Sequence, residues 1–476
     1  MMLADKFGIG RRFAQESRAL FVIAWPMFIA QLAQMGTGVV DTIMAGRYSA
    51  TDLAAIAIGY NIWLPIYILF VGVMLGATVI VAQDFGAGRT ERIRSYLPQS
   101  LWLALVLGLV AAPLCYFAQP LLALLSLDPL TESKSLAYLQ ATAFGLPAAA
   151  IFQALRCHTQ GIGIMRPFAI ASVIGFFANI PLNYAFIYGK WGAPELGAAG
   201  CGWATAISMW LGPVLIFFYM TRAEALKPYL PALRWHRPNS RLIREIALLG
   251  LPIGLTFFLE VGVFSVISLL IATLGNVAIA AHQIAFNIWD VAYMPLISVG
   301  SAMATRIGHA IGAGDNPAVK LAVQVGTGTT MLIAVGIMIV LITIPGPIAG
   351  VYTEDSAILA LALTLIRLAC LFILIDAIQV IAAFCLRAFK DTRFPFIVMG
   401  IAYWLITLPL GYWLGVVKAE DATDGTVAFW QSMILGISIT AVLVTIRVWR
   451  TLQKPLPAPE DDRAETGARE DINPVV

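Results

Sequence analysis

Charged side chains stand inside long apolar stretches of this 476-residue chain. A charge at the centre of a bilayer costs at least ~2.5 kcal/mol on insertion scales, so each one needs a functional or structural reason. The five such residues are Asp41, Glu260, Asp290, Arg367 and Asp376. Because four of the five are acids, the set favours a positively charged ligand, either a coupling ion, an organic cation or both.

Asp41 is predicted to share a site with two amides. It lies near the outer end of the first apolar stretch, on the helical face that also carries Gln34. Asn179 and Asn183 are four residues apart near the outer end of the fifth stretch. The three side chains can therefore meet at similar depth and surround a carboxylate with hydrogen-bonding amides. Hydrogen bonding between helices is the alternative role of the Asn pair.

Glu260 and Asp376 form a second candidate site, near the middle of the seventh and tenth stretches. Two carboxylates at similar depth could share one proton or hold one sodium ion. The alternative is a pair of unrelated buried acids, one of them neutralised by Arg367. Arg367 precedes Asp376 by roughly 13 Å along a helix axis at ~1.5 Å per residue, so it is not an obvious direct partner.

Asp290 lies in the eighth stretch between two aromatic residues, Phe286 one turn before it and Tyr293 one turn after it. A carboxylate flanked by aromatic faces suits a lipophilic cation through charge and cation–π attraction. Aromatic packing is the alternative. His282 lies well inside the same stretch and could relay protons, although we favour a hydrogen-bonded packing role.

The composition dictates which elements hold these residues. The chain is 60% hydrophobic and 12% charged, whereas soluble domains carry about a quarter charged residues. Apolar stretches of about 20 residues span a bilayer, and the chain contains twelve. We therefore predict an all-α membrane protein with helices near 20–45, 53–83, 95–118, 136–160, 166–188, 198–220, 243–274, 279–311, 318–344, 356–388, 394–417 and 426–449. The first stretch is too long for a signal peptide and should be retained.

Several classes of protein are excluded by what the sequence lacks. It has no Walker A, HExxH or GxSxG motif, which argues against an ATP-driven pump and against the usual hydrolases, so we expect neither an enzyme nor a cofactor. A net charge of +3 without a continuous basic patch argues against nucleic acid. The five cysteines are odd in number and lack ligand spacing, so we expect small core residues rather than disulfides or a metal site.

The basic residues predict an orientation. All but five of the 30 Lys and Arg residues fall on the side that holds both termini. The exceptions are Arg47, Lys134, Lys190, Lys418 and, within a span, Arg367. By the positive-inside rule both termini of this inner-membrane protein are cytoplasmic. The densest basic cluster falls in 221–242, which we interpret as a linker, and the charged, Pro-rich tail 455–476 is expected to be disordered.

The chain contains an internal repeat. A shift of 226 positions places residues 53–63 over residues 279–289 with six of eleven identical, and it superposes Pro26 on Pro252. Six helices per copy is an even number, so the copies are parallel and related by an axis along the membrane normal. We therefore predict two pseudo-symmetric six-helix lobes, 1–220 and 243–454. Two lobes across a central cavity favour alternating access, which is typical of a secondary active transporter.

These features together resemble the multidrug and toxic compound extrusion (MATE) family, in its NorM-like bacterial branch, from about residue 15 to 450. The resemblance depends on Pro26 and Asp41 in the first helix, the Ala-Gly that follows Asp41, the Gln-Gly-Ile-Gly segment at 160–163, the Asn179 and Asn183 pair, and Glu260 with Asp376.

The resemblance implies a V-shaped cleft between the lobes. It also implies export of amphipathic, mostly cationic drugs and dyes in exchange for sodium ions or protons, by a protein that we expect to be a monomer in the lipid bilayer. The first-lobe acid would fall on Asp41, beside the Asn pair, and the second-lobe cation site on Glu260 and Asp376, with Asn287 as a neighbour. Position 372 is Phe where some sodium-coupled relatives have Tyr, which favours protons.

Two other functions are weighed against this interpretation. A related flippase for lipid-linked saccharides should line its cavity with several basic residues for pyrophosphate, and the sequence offers only Arg367 within a span. An intramembrane enzyme should show a nucleophile–base or metal pair, and none is discernible.

Overall fold

In the computed structural model, which describes residues 2–125, 127–231 and 236–456, every regular element is a helix. The first half contains α1 (Met2–Tyr48), α2 (Ala50–Gly86), α3 (Thr90–Tyr116), α4 (Gln119–Ala123), α5 (Pro129–Ala143), α6 (Leu146–Gly161), α7 (Arg166–Tyr188), α8 (Ala198–Arg222) and a 3₁₀ turn (Lys227–Tyr229). The second half contains α9 (Ser240–Ala272), α10 (Asn276–Gly312), α11 (Asn316–Thr343), α12 (Pro345–Gly350), α13 (Ser356–Ala388), α14 (Arg393–Met399), α15 (Leu408–Tyr412) and α16 (Ala422–Leu452).

The predicted all-helical membrane fold is confirmed, with a span count close to twelve. Ten helical segments of the described chain are long and apolar enough to cross a membrane, and the bent pair α5 and α6 makes an eleventh. The one predicted span that is not among these eleven is the eighth, at 279–311, which is α10, a helix of 37 residues. Polar residues such as Gln283, Asn287 and Asp290 lower the hydropathy of α10 below that of its neighbours.

Two predicted helices are not single regular helices. The helix predicted at 136–160 is α5 and α6, which meet at 44° around Gly145. A Cβ on Gly145 would collide with the Ala206 backbone of α8, so the break permits a close approach between helices. The helix predicted at 394–417 contains π-helical turns at Gly400–Thr407 and Trp413–Val417, on either side of α15.

A buried aspartate organises the end of the first half that lies opposite the basic loops. Ser49 caps α2 by accepting hydrogen bonds from the Thr51 and Asp52 amides. The Asp52 side chain is 1% exposed. Its Oδ1 accepts the Ala198 amide of α8 at 2.8 Å, and its Oδ2 pairs with Lys134 Nζ of α5 at 2.5 Å. One carboxylate thus ties α2, α5 and α8 together.

The two halves meet first along α2 and α9, where glycines replace larger side chains. A Cβ on Gly72 of α2 would collide with the Gly254 backbone of α9, and one on Gly76 would collide with the Gly250 backbone. Small residues at such crossings let helix backbones approach closely in a membrane. The contact between the halves is therefore largely backbone against backbone.

A second contact between the halves joins α2 and α10 near the basic end of the bundle. A Cβ on Gly86 would meet the His309 backbone, and one on Gly312 would meet the Gln83 backbone. The two contacts are equivalent in the repeat, because the offset of 226 takes Gln83 to His309 and Gly86 to Gly312. Arg306 of α10 also pairs with Glu16 of α1, at 2.6 Å from Nη2 to Oε2. Among the described residues, the hydrogen bonds and ion pairs between the halves lie from mid-depth to this end.

The predicted linker and tail fall partly outside the described residues. The linker predicted at 221–242 includes the end of α8, the 3₁₀ turn and the start of α9, while residues 232–235 are outside the description. The tail predicted at 455–476 lies outside it from residue 457 on. The division into two lobes therefore stays a prediction.

Candidate functional site

Asp41 of α1 is buried among neutral hydrogen-bond donors. Asn183 Nδ2 of α7 lies 2.5 Å from Asp41 Oδ1 and 2.7 Å from Asn179 Oδ1. Thr205 Oγ1 of α8 donates to Asp41 Oδ2 at 3.2 Å. In the described part of the chain no Lys or Arg forms an ion pair with this carboxylate. The structure thus brings together the three side chains that the sequence placed at similar depth.

Two polar atoms beside Asp41 make no hydrogen bond. Asn179 Nδ2 and Asn183 Oδ1 are buried without a hydrogen-bond partner. Gln34, which shares a helical face with Asp41, lies 3.5 Å from Ser172 Oγ instead. Thr205 was missed by sequence reasoning, because a threonine inside an apolar helix commonly bonds its own backbone and gives little signal.

Two exposed side chains from different halves interact electrostatically in the region of Asp290. Asp290 of α10 is exposed, and so is Tyr60 of α2 at 44%. Tyr60 interacts electrostatically with both Asp290 and Asp41. Behind Tyr60, the Trp63 and Tyr67 rings stack with centroids 4.6 Å apart. Two carboxylates from different halves and a row of aromatic rings therefore lie around Tyr60.

The acids of the second half lie deeper. Asp376 of α13 is 1% exposed, and its Oδ2 accepts a hydrogen bond from Trp289 Nε1 of α10 at 3.1 Å. Glu260 of α9 is half-buried and close enough to Asp376 for electrostatic interaction. The Trp289 ring lies 5.8 Å from the Phe372 ring and 5.3 Å from that of Phe264, centroid to centroid. The indole that bonds Asp376 is thus packed between the rings of Phe264 and Phe372.

Three further candidates are placed as follows. Asn287 is exposed and makes no hydrogen bond to either acid in this structure, so its role stays a prediction, and Trp289 is the residue that reaches Asp376. Phe286 packs against Trp289, with centroids 5.0 Å apart, and Tyr293 does so at 5.3 Å. Phe286 and Tyr293 therefore contact Trp289, the residue that bonds Asp376, as well as flanking Asp290.

The arginine near the acids is not the one that the sequence singled out. Arg367 is exposed and forms no ion pair within the described ranges. Arg387, by contrast, is buried at the end of α13 and interacts electrostatically with Glu260. The repeat offered a signal for it, since Ala154-Leu-Arg156 of the first half matches Cys385-Leu-Arg387 once small gaps are allowed in the repeat.

His282 is fixed by hydrogen bonds at both ring nitrogens. Trp430 Nε1 donates to His282 Nδ1 at 3.2 Å, so Nδ1 carries no proton. His282 Nε2 is then the protonated nitrogen and donates to Ser268 Oγ at 2.9 Å. This neutral, fully bonded ring fits the packing role better than a proton relay.

The five cysteines lie inside the described part of the bundle. Cys115, Cys157, Cys201, Cys370 and Cys385 are all buried and free. The described residues contain no group of three or more His, Cys, Asp or Glu side chains placed to hold a metal ion.

Similar proteins give this arrangement a context. The MatE family model matches residues 26–185 and 252–413, two segments that begin one repeat offset apart. The chain is 39% identical over 446 residues to Multidrug resistance protein PmpM of Pseudomonas aeruginosa, covering 94% of each chain. It is 36% identical over 439 residues to Multidrug resistance protein NorM of Vibrio cholerae, covering 92% of this chain and 96% of that one.

Solved structures share the fold. The outward-facing conformation of a multidrug resistance MATE family transporter of the MOP superfamily superposes with a TM-score of 0.82 at 18% identity, covering 92% of this chain and 96% of that one. A eukaryotic MATE transporter superposes with a TM-score of 0.81 at 19% identity, covering 92% and 98%.

Proposed function

This chain belongs to the MatE family and is a multidrug efflux transporter rather than an enzyme, and on that premise we propose that it exports amphipathic, mostly cationic drugs and dyes in exchange for protons. Sodium ions are the alternative coupling ion. The observation that carries the proposal is a buried carboxylate site in each half, Asp41 in the first and Glu260 with Asp376 in the second.

The proposed drug class follows from the charged and aromatic side chains around Tyr60. Asp41 and Asp290 supply negative charge, and Tyr60 interacts with both. An amphipathic cation would gain charge attraction from the acids and cation–π attraction from exposed aromatic faces. Asn179 and Asn183 retain unused hydrogen-bonding atoms beside Asp41, which can adapt to ligands of different shape.

The coupling ion is proposed from the neighbours of Asp376. Hard cations bind through several oxygen ligands. The hydrogen bond that the structure shows at Asp376 comes from the indole N–H of Trp289, which occupies one carboxylate oxygen and cannot itself ligate a cation. The Tyr293 and Tyr403 phenols interact with the acid pair electrostatically. A proton needs one carboxylate oxygen and no further ligands. This environment supports protons over sodium ions.

Competition for one carboxylate would make the exchange obligatory. Asp41 can attract a cationic drug only when it is deprotonated, so drug binding and proton uptake exclude each other there. Such negative coupling between two ligands is reciprocal, and each promotes release of the other.

The direction of transport depends on the predicted orientation. The halves are joined by an ion pair and hydrogen bonds at the end that carries the basic loops, whereas the Asp290 side chain, nearer the other end of α10, is exposed. With both termini cytoplasmic in the bacterial inner membrane, this state would be open to the outside. A monomer suffices for this scheme, since both sites lie within one chain. No observation favours a flippase over this assignment.

Reconstitution tests the proposal. Purified protein in liposomes should move a fluorescent cationic dye when a pH gradient is imposed at zero sodium, and not when a sodium gradient is imposed at equal pH. Dye movement driven only by a sodium gradient would show that sodium, and not the proton, is the coupling ion. Movement without any ion gradient would contradict antiport itself.

A further inference from the structure

Arg387 is a buried cation without an ion pair. It is the penultimate residue of α13 and 9% exposed. Its guanidinium lies over the Phe384 ring at 4.3 Å and over the Phe257 ring of α9 at 5.3 Å. Its Nη1 atom is buried without a hydrogen-bond partner, and no described carboxylate comes within 4.0 Å of it. Burial of an unpaired charge is costly, so this position needs a reason.

The position of Arg387 relative to the second-half acids suggests that reason. Phe257 precedes Glu260 by three residues, so both lie on one face of α9 about one turn apart. Arg387 follows Asp376 by eleven residues, or about three turns, which places both on one face of α13. The guanidinium therefore lies on the basic-end side of the acid pair, and it interacts electrostatically with Glu260.

The first half carries the equivalent arginine but not the acid. Arg156, which the repeat matches to Arg387, lies over Phe168 at 4.4 Å and donates to Gln153 Oε1 at 3.1 Å. The repeat offset of 226 places Gln34 where the second half has Glu260. The combination of buried arginine and carboxylate is thus particular to the half that holds the acid pair.

We infer that Arg387 is a positioning residue of the second-half site: a resident positive charge that favours the ionised form of Glu260 when the site is empty and opposes the incoming ion. The inference rests on the proposed function of Glu260. Its consequence is a site from which the ion can leave, because each bound ion is repelled by a charge that never dissociates.

The test compares Arg387→Gln with the matched variant Arg156→Gln in liposomes, with export measured as a function of pH. Removing the positive charge should let Glu260 take its proton from a less acidic solution. The pH of half-maximal exchange should therefore rise by about one unit, a tenfold change in proton affinity, in Arg387→Gln and stay unchanged in Arg156→Gln. Arg387→Lys, which keeps the charge, should stay close to the wild type.

The outcomes are separable. If Arg387→Gln keeps the wild-type pH profile, or if Arg156→Gln shifts it equally, the inference is overturned. Arg387→Met, with a long unbranched side chain between the two rings, supplies a second neutral variant should Arg387→Gln fail to fold. Glu260→Gln is run in parallel, and coupled export by that variant would defeat the proposed function instead.

Discussion

Gln83 of α2 and His309 of α10 occupy equivalent positions of the repeat and make reciprocal hydrogen bonds across the boundary between the halves. Gln83 Nε2 donates to the Ala388 carbonyl, at the end of α13, at 2.8 Å. His309 Nε2 donates to the Gly161 carbonyl, at the end of α6, at 2.7 Å. Each half thus satisfies a helix-terminal carbonyl of the other, and both bonds must break before the basic end can open.

Gln83→Leu should therefore loosen the closed end. One hydrogen bond contributes about 1 kcal/mol net, so the open population should rise about fivefold. The reporter is Ser301→Cys in a background without the native cysteines, because Ser301 is buried between the halves and bonds Gln160. Its labelling by a thiol reagent should accelerate by that factor. Gln153→Leu, which breaks a bond within the first half, is the control, and equal acceleration there would contradict the assignment.

The orientation of the chain can be tested by labelling. Cysteines introduced at Glu91 and Pro231 should react only from the cytoplasmic side, and one at Thr423 only from outside, because the basic loops are retained inside. A membrane-impermeant thiol reagent applied to intact cells and to inverted vesicles measures this. Labelling of all three positions from one side would refute the twelve-span topology.

Neutralising the second-half acids should uncouple transport. Glu260→Gln and Asp376→Asn each remove one charge at nearly constant volume, so folding should persist while gradient-driven dye export falls at least tenfold. Export in liposomes is the measurement, with the unfolding temperature as a check on folding. Glu420→Gln, which alters an exposed acid in an outer loop, should export normally. Wild-type export by either buried variant would rule out coupling through this pair.

Asp41 should make drug binding depend on pH. Wild-type affinity for a cationic dye should fall as pH drops, since protonation removes the charge that attracts the dye. Asp41→Asn should lose much of the affinity and become insensitive to pH, and sodium should matter little at fixed pH. Equilibrium dye binding to both purified proteins, and to Asp424→Asn as a control, provides the data. Wild-type binding that ignores pH but weakens with sodium would make sodium the coupling ion.

Filling the glycine contact between α2 and α9 should prevent closure at the basic end. A Cβ on Gly254 would collide with the Leu69 carbonyl, a backbone atom that cannot move aside cheaply. Overpacking of this kind costs about 1–3 kcal/mol, so Gly254→Ala should shift the population of closed molecules by about tenfold and slow export accordingly. Gly175→Ala adds the same methyl group where nothing lies within 4 Å and should be neutral. Equal export by the two variants would contradict the model of closure.

The spans and the Asp41 cluster could be predicted because local periodicity encodes them. Asn179 and Asn183 share a face of one helix, and their depth matches that of Asp41 by counting residues alone. The indole bond from Trp289 to Asp376 could not be foreseen, because it depends on how α10 rotates against α13. Arg387 was passed over for a related reason, since its importance comes from Glu260 on another helix.

The irregular helices could not be predicted from the sequence, for a different reason. The π turn at Gly400–Thr407 leaves the apolar run unbroken, so a reading tuned to α-helical spacing cannot detect it. Trp404 of that turn donates to the Leu259 carbonyl next to Glu260, at 3.1 Å, which shows what the altered turn positions. The break at Gly145 was likewise hidden, because the colliding partner lies on α8.

The backbone contact between Gly72 and Gly254 has an electrical consequence. Helices whose backbones touch leave no gap for water, so this contact insulates, whereas the exposed Asp290 side chain is accessible to solvent and its ions. The membrane voltage must then drop mainly across the closed part of the protein rather than across the whole bilayer. A charge that crosses the full voltage gains about 2.3 kcal/mol per 100 mV, and an ion travelling from outside to Asp41 collects only a small share of that energy. The membrane voltage therefore acts chiefly on the conformational change that opens the closed end, and little on ion binding at Asp41.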